Sequence, residues 1–219
     1  DALPISIQTY EEIKPYVERL RRGEQNLLWP SDICWFAKSS GTTNDKSKFI
    51  PVSRESLHDT HYKGGQDAVT LYLKQNPESH FFSGKGLILG GSHSPNYNIR
   101  HSLVGDLSAI LIQNVNPLVN FIRVPSKKIA LMSDFESKIE AIADTTLHTN
   151  ITSLSGVPSW MLVLIKHLLK RTDKESLDEI WPNLEVFFHG GVAFTPYREQ
   201  YKEIIRSSNM HYVETYNAS

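Results

Sequence analysis

Short apolar runs with strand-like character recur along the 219-residue chain. They are Ile33 to Ala37, Phe49 to Val52, Gly86 to Leu89, Ile151 to Leu154, Leu184 to Phe188 and His211 to Thr215. Helical patterns alternate with them. Phe135, Ile139, Ile142 and Ala143 repeat at helical spacing behind Ser133 and Glu136, a pair that reads as a capping box. Pro158 stands where a first helical residue belongs, ahead of Trp160, Leu164 and Leu168 on one face. Thr195 and Pro196 open a further helix through about Ser207. Near the start, Thr9 and Glu12 form a capping pair with Pro15 inside the helix, or the helix begins at Pro15; both readings stay open. Strands alternating with helices predict an α/β fold with a largely parallel or mixed sheet.

In such folds ligands sit at loops leaving the carboxyl ends of strands. Three loops combine that position with unusual composition: Ser39 to Lys48, His189 to Thr195, and Tyr216 to Ser219. The first reads Ser39-Ser40-Gly41-Thr42-Thr43-Asn44-Asp45-Lys46-Ser47-Lys48. Gly41 lets the backbone approach a ligand closely. Successive main-chain N–H groups and the hydroxyls around Gly41 suit an anion-binding nest, with Lys46 and Lys48 adding positive charge. The spacing is not that of a Walker loop. A solvated turn between hairpin strands has the same composition. The string SSGTT, however, arises by chance in about one of several thousand chains this long, which favours the phosphate reading.

Composition narrows the field. Formal charge is −1, from 23 Lys and Arg against 24 Asp and Glu, so no electrostatic case for nucleic acid or an anionic membrane exists. The longest apolar runs, such as Trp160 to Ile165, are too short to span a bilayer. Cys34 is the only cysteine, which excludes an internal disulfide and fits a reducing, cytoplasmic setting. The nine histidines show no metal-ligand spacing, so no protein-built metal site is expected. The chain opens at Asp1 without an initiator Met and closes just after a strand-like run, and it reads as a piece of a longer protein.

Ser39-Ser40-Gly41-Thr42-Thr43, followed by Lys48 and Pro51, resembles the ATP-phosphate loop of acyl-adenylate-forming enzymes. More narrowly it resembles the family of plant auxin and jasmonate amido synthetases, the auxin-responsive promoter family, and their bacterial relatives. That family's loop runs SSGTT-x-G-x-x-K; here Asp45 stands where Gly is usual. Tyr216-Asn217-Ala218-Ser219 resembles the start of the family's Y-x-x-S-E motif, whose Glu would fall after Ser219. Gly156-Val157-Pro158-Ser159-Trp160 matches a Gly-Val-Pro segment found between those two motifs.

The resemblance implies that residues 1–219 form part of the large nucleotide- and acyl-binding N-terminal domain, with mixed sheets flanked by helices and without the small C-terminal domain. It implies ATP-dependent, Mg²⁺-assisted adenylation of a small carboxylic acid to acyl-AMP, then transfer to an amine, an amino acid in the family. Thr42, Thr43 and Lys48 take the catalytic part, with Ser39, Ser40 and Gly41 completing the phosphate loop. The resemblance further implies that Gly190, Gly191 and Val192 line the adenine pocket, that Tyr216 stacks on adenine, and that Ser219 reaches the α-phosphate. Val157 and Trp160 border the acyl pocket. His93, in a loop after a strand, is a weaker acyl-facing candidate beside the plainer reading of a loop histidine. Asp106 and Arg123 are weaker candidates still for a polar acyl acid or acceptor amine, since lone charges are usually solvated. Thioester formation with coenzyme A and a non-catalytic nucleotide- or acyl-binding module are the competing readings.

Overall fold

The computed structural model describes residues 6–39 and 48–217. The first element is helix α1 (Tyr10–Arg21), with Thr9 as its N-cap and Pro15 inside it. Of the two readings of this segment, the chain adopts the earlier start. The Glu12 carboxylate accepts from Thr9 N at 2.5 Å and from Thr9 Oγ1 at 2.9 Å. Together with burial of Val17 and Leu20, this offsets the backbone bond that Pro15 removes.

The chain continues through β1 (Trp35–Lys38), β2 (Phe49–Val52) and a π-helical segment, Ser56–Tyr62, that runs into α2 (Lys63–Gln75). Next come β3 (Lys85–Leu89), β4 (Leu103–Gly105), α3 (Leu107–Asn114), β5 (Arg123–Val124) and α4 (Lys127–Ala130). From there helices and strands alternate: α5 (Phe135–Thr146), β6 (Ile151–Gly156), α6 (Pro158–Thr172), β7 (Val186–His189), α7 (Arg198–Ile204) and β8 (His211–Glu214). Each strand-like run of the sequence is a strand, although β1 lies further along the chain than its apolar run. The helix begun at Pro158 is also present. Two details differ. The N-cap of α5 is Asp134, whose Oδ1 accepts from Ser137 N at 2.9 Å, because a carboxylate one residue before Phe135 reaches that N–H directly. Thr195 and Pro196 open only a 3₁₀ turn, Thr195–Tyr197, which leads into the shorter α7.

The architecture is mixed α/β, with sheets flanked by helices. One sheet has three strands in the order β2-β1-β4, with β1 antiparallel to β2 and parallel to β4. The other is fully parallel, in the order β5-β3-β6-β7-β8. Alternation along β7 shows how the parallel sheet is covered on both faces. Val186 and Phe188 pack with Tyr72 of α2, whereas Phe187 joins the main core with Met161 of α6 and Tyr201 of α7. The three-stranded sheet divides likewise: Phe36 and Val104 meet α1, and Ala37 and Val52 meet α3. Because all five strands of the larger sheet run the same way, the loops after β3, β6, β7 and β8 emerge along one edge.

Candidate functional site

A cavity of about 850 Å³ opens along that edge, within the range usual for small-molecule sites. Segments far apart in sequence line it: Lys38 and Ser39 from the end of β1, Gly156 and Val157 after β6, Gly190 and Gly191 after β7, and Thr215 and Asn217 after β8. The described flank of the first loop, the second loop and the third loop therefore meet in one place.

The β1–β2 pairing makes residues 39–48 a hairpin connection, with Lys38 opposite Phe49. Ser39 N donates to Lys48 O at 2.9 Å, and Lys48 N donates to Ser39 Oγ at 3.3 Å, which closes the neck of the loop. Tyr10 braces it from α1: its hydroxyl accepts from Phe49 N at 2.9 Å, and the Lys48 ammonium lies 5.4 Å above its ring. Lys48 is thus at the neck of the loop, not on the cavity wall. Lys38 is on the wall, with Nζ 4.0 Å from the Tyr97 ring centroid. Ser40, Gly41, Thr42 and Thr43 lie outside the described residues, as does Ser219.

The glycines after β7 have separate structural reasons. A side chain on Gly190 would collide with the Thr215 carbonyl, where the end of β8 crosses close by. Gly191 has φ +82°, a left-handed conformation that L-residues avoid. Beneath them the His189 ring stacks on Phe194, with centroids 4.1 Å apart. Burial lowers the pKa of His189 and favours neutral imidazole. Thr215 N donates to His189 O at 2.7 Å, which holds the second and third loops together. Tyr216 is 94% exposed, and Val192 also faces solvent without lining the cavity.

At the other side, Val157 and Trp160 line the cavity from the start of α6, with Phe135 edge-on to Trp160 at 6.2 Å. His93 does not line it; its ring sits 5.1 Å from Trp35, and burial lowers its pKa. Asp106 and Arg123 both line the cavity. The Asp106 carboxylate accepts from Ser92 N at 2.9 Å. Beyond it, the Lys138 ammonium is buried and donates to Gly90 O at 3.2 Å and Gly91 O at 3.0 Å, pinning the loop after β3. Burial lowers the pKa of Lys138, and the charge of Asp106 opposes that shift. Tyr62, from the π-helical segment, donates to Leu111 O at 2.9 Å and forms part of the wall; its burial pushes its pKa up to about 12.

Arg123 is 5% exposed, contrary to the expectation that lone charges are solvated. Nε and Nη2 donate to Asn120 Oδ1 at 3.0 and 2.6 Å, and Nη1 donates to Pro125 O at 3.2 Å. The sequence offered Arg123 only as a weak candidate, on its charge, and it passed over Lys38 and Lys138. Lys38 alone had a positional cue, since it immediately precedes the Ser-Ser-Gly string.

A family model described as "GH3 family N-terminal domain" matches residues 3–210. The jasmonoyl–L-amino acid synthetase JAR4 of Nicotiana attenuata is 32% identical over 84 residues, which is 38% of this chain and 14% of that protein. Two solved structures share the fold: the GH3.15 acyl acid amido synthetase, with a TM-score of 0.72, and the AtGH3.15 acyl acid amido synthetase in complex with 2,4-DB, with 0.75. Each is 16% identical and is matched over 98% of this chain and 46% of its own length. The chain thus spans less than half of the synthetases it superposes on. With the family's N-terminal domain matched across almost the whole chain, and its fold reproduced from α1 to β8, this chain belongs to the GH3 family.

Proposed function

We propose that residues 1–219 are part of the large nucleotide- and acyl-binding domain of an ATP-dependent acyl acid amido synthetase. The convergence of three loops and the Gly156–Trp160 segment on one cavity carries this reading. A carboxylate oxygen of the acyl acid attacks the α-phosphorus of ATP, the bond to the bridging oxygen breaks, and pyrophosphate leaves with both electrons of that bond. An amine then attacks the acyl carbonyl, AMP departs, and the amine proton is lost to give an amide.

The protein's task in the first step is to position and neutralise charge. Ser39, Ser40, Gly41, Thr42 and Thr43 hold phosphate oxygens from the hairpin loop, with Ser219 at the α-phosphate. Lys38 adds a cation at the wall, and Lys48 approaches the phosphates by leaving the Tyr10 ring. Gly190, Gly191 and Val192 border the adenine, and the exposed Tyr216 is free to lie over it. Val157 and Trp160 border the acyl group, with His93 behind the wall. Mg²⁺ belongs to this reading as an ion that the triphosphate oxygens would bring with them, and it would supply charge neutralisation there. Among the described residues the wall offers one carboxylate, Asp106, so the protein residues present do not form a metal cage.

The test is pyrophosphate exchange by the full-length protein across a panel of carboxylic acids, followed by trapping with amino acids and, separately, coenzyme A. Thr43→Ala is expected to slow exchange by about 10²-fold, the usual effect of losing one charge-stabilising donor. Exchange within twofold of the parent would remove the loop from the mechanism. Thioester without amide would move the second step to coenzyme A.

A further inference from the structure

Arg123 is a charged group whose partners are all neutral. Its guanidinium has five N–H donors, and three of them serve Asn120 Oδ1 and Pro125 O. No ion pair within 4.0 Å reaches it among the described residues. Asp106, the one carboxylate of the wall among the described residues, is committed to Ser92 N and the Lys138 side. A desolvated cation without a counterion is costly, and burial accordingly lowers the pKa of Arg123. In a cavity wall, that cost is relieved when an anion enters.

The location within the sheet says which anion. Arg123 begins β5, the edge strand, whereas Gly190 and Gly191 follow β7 and Thr215 follows β8. Three strand spacings of about 4.8 Å put β5 roughly 14 Å from β7, and β8 is one spacing further. The nucleotide loops are thus on the opposite side of the cavity from Arg123. The same cavity wall carries Ile88, Leu107, Leu111, Ile112, Val115 and Val119, apolar side chains suited to a carbon skeleton.

We propose that Arg123 anchors a second carboxylate on the acyl acid, distal to the one that is adenylated, so that the site selects dicarboxylic substrates. This rests on the synthetase reading above. A carboxylate matches the planar fork of the guanidinium and supplies the missing negative charge. The bond formed at the reacting end is unchanged; the distal carboxylate only binds.

The experiment compares α,ω-dicarboxylic acids with their monomethyl esters in pyrophosphate exchange by the full-length protein. The diacids are expected to be favoured in kcat/KM by about 10- to 100-fold, the range for a charge-assisted hydrogen-bonded pair. Arg123→Gln is expected to abolish that preference by raising KM for diacids, with the esters changed less than about twofold. Arg123→Lys, which keeps the charge without the fork, is expected to fall between. Equal use of diacids and esters by the parent overturns the proposal, and so does a variant that loses both alike. Exchange needs no acceptor, so an effect confined to the KM of the amino acid also overturns it. If the variants fail to fold, the diacid-to-ester ratio of the parent decides alone. If no acid supports exchange, the synthetase reading fails. Thermal stabilisation by the diacid but not its ester, measured without ATP, then still decides the role of Arg123.

Discussion

Gly190 and Gly191 show how much two adjacent residues can differ in what they require. At Gly190 the constraint is space, since an added methyl group meets the main-chain carbonyl of Thr215. Backbone cannot rotate away as a side chain can, so Gly190→Ala is expected to cost about 1–3 kcal/mol, in the manner of an overpacked core. At Gly191 the constraint is φ +82°, and the one atom that an added Cβ would approach is the Val157 Cγ2 methyl, at 3.2 Å. Gly191→Ala is therefore expected to lose about 1–2 kcal/mol, much of it recovered by Gly191→Asn, which tolerates the left-handed region. Urea denaturation of the parent, the two Ala variants and the two Asn variants checks this. Recovery by Gly190→Asn equal to that by Gly191→Asn would show that the two positions share one constraint. The glycine pair was legible in the sequence as a strand-to-helix turn, but its causes were not, because Thr215 lies far along the chain. Arg123 was named in the sequence only as a weak candidate, and its burial was illegible for the same reason. A single charge has no periodicity, and only the packing of the segment around β5 buries it.

At the scale of elements, periodicity and caps recovered what local physics determines. Short apolar runs became β3, β6, β7 and β8, and Pro158 began α6. The strands that periodicity passed over, β4 and β5, have three and two residues, too few for a pattern to repeat. The capping carboxylates carry a testable consequence. Thr9 holds the Glu12 carboxyl below its ordinary value of 4.5, chiefly through the Thr9 backbone N–H and then its hydroxyl. Ser137 likewise lowers Asp134 below 3.8, its side chain contributing most. A carboxyl whose pKa is depressed by folding stabilises the native state above its unfolded value. That contribution is lost as pH falls through the lower, folded value. Melting temperature is therefore expected to drop on acidification below about pH 4.5, in part through α1 and α5. The double variant Glu12→Gln, Asp134→Asn keeps capping geometry without titrating, and its melting temperature is expected to fall less over the same interval. Parallel pH profiles for parent and variant would remove the caps from the acid response.

For the whole molecule, the parallel sheet carries the main core on one face and α2 on the other, which is the arrangement of a unit able to fold by itself. The 219-residue chain is accordingly expected to unfold in one cooperative transition in urea, followed by fluorescence of its four tryptophans. Trp181, buried with its Nε1 donating to Thr146 O at 3.0 Å, reports on the main core. Turnover is a different matter. Tyr216 is 94% exposed and Val192 also faces solvent, so on the proposed reading nothing among the described residues covers an adenylate held beside them. An acyl-AMP open to water hydrolyses before an amine arrives, and reacting groups that are not enclosed are poorly positioned. The synthetases that share this fold are more than twice as long as the matched region. The chain alone is therefore expected to give no amide when incubated with ATP, Mg²⁺, carboxylic acids and amino acids, whereas the full-length protein gives both acyl-AMP and amide by mass spectrometry. Amide from the 219-residue chain alone would mean that the cavity between β1 and β8 is already a complete active site, and that the exposed rim at Tyr216 is closed by substrate itself.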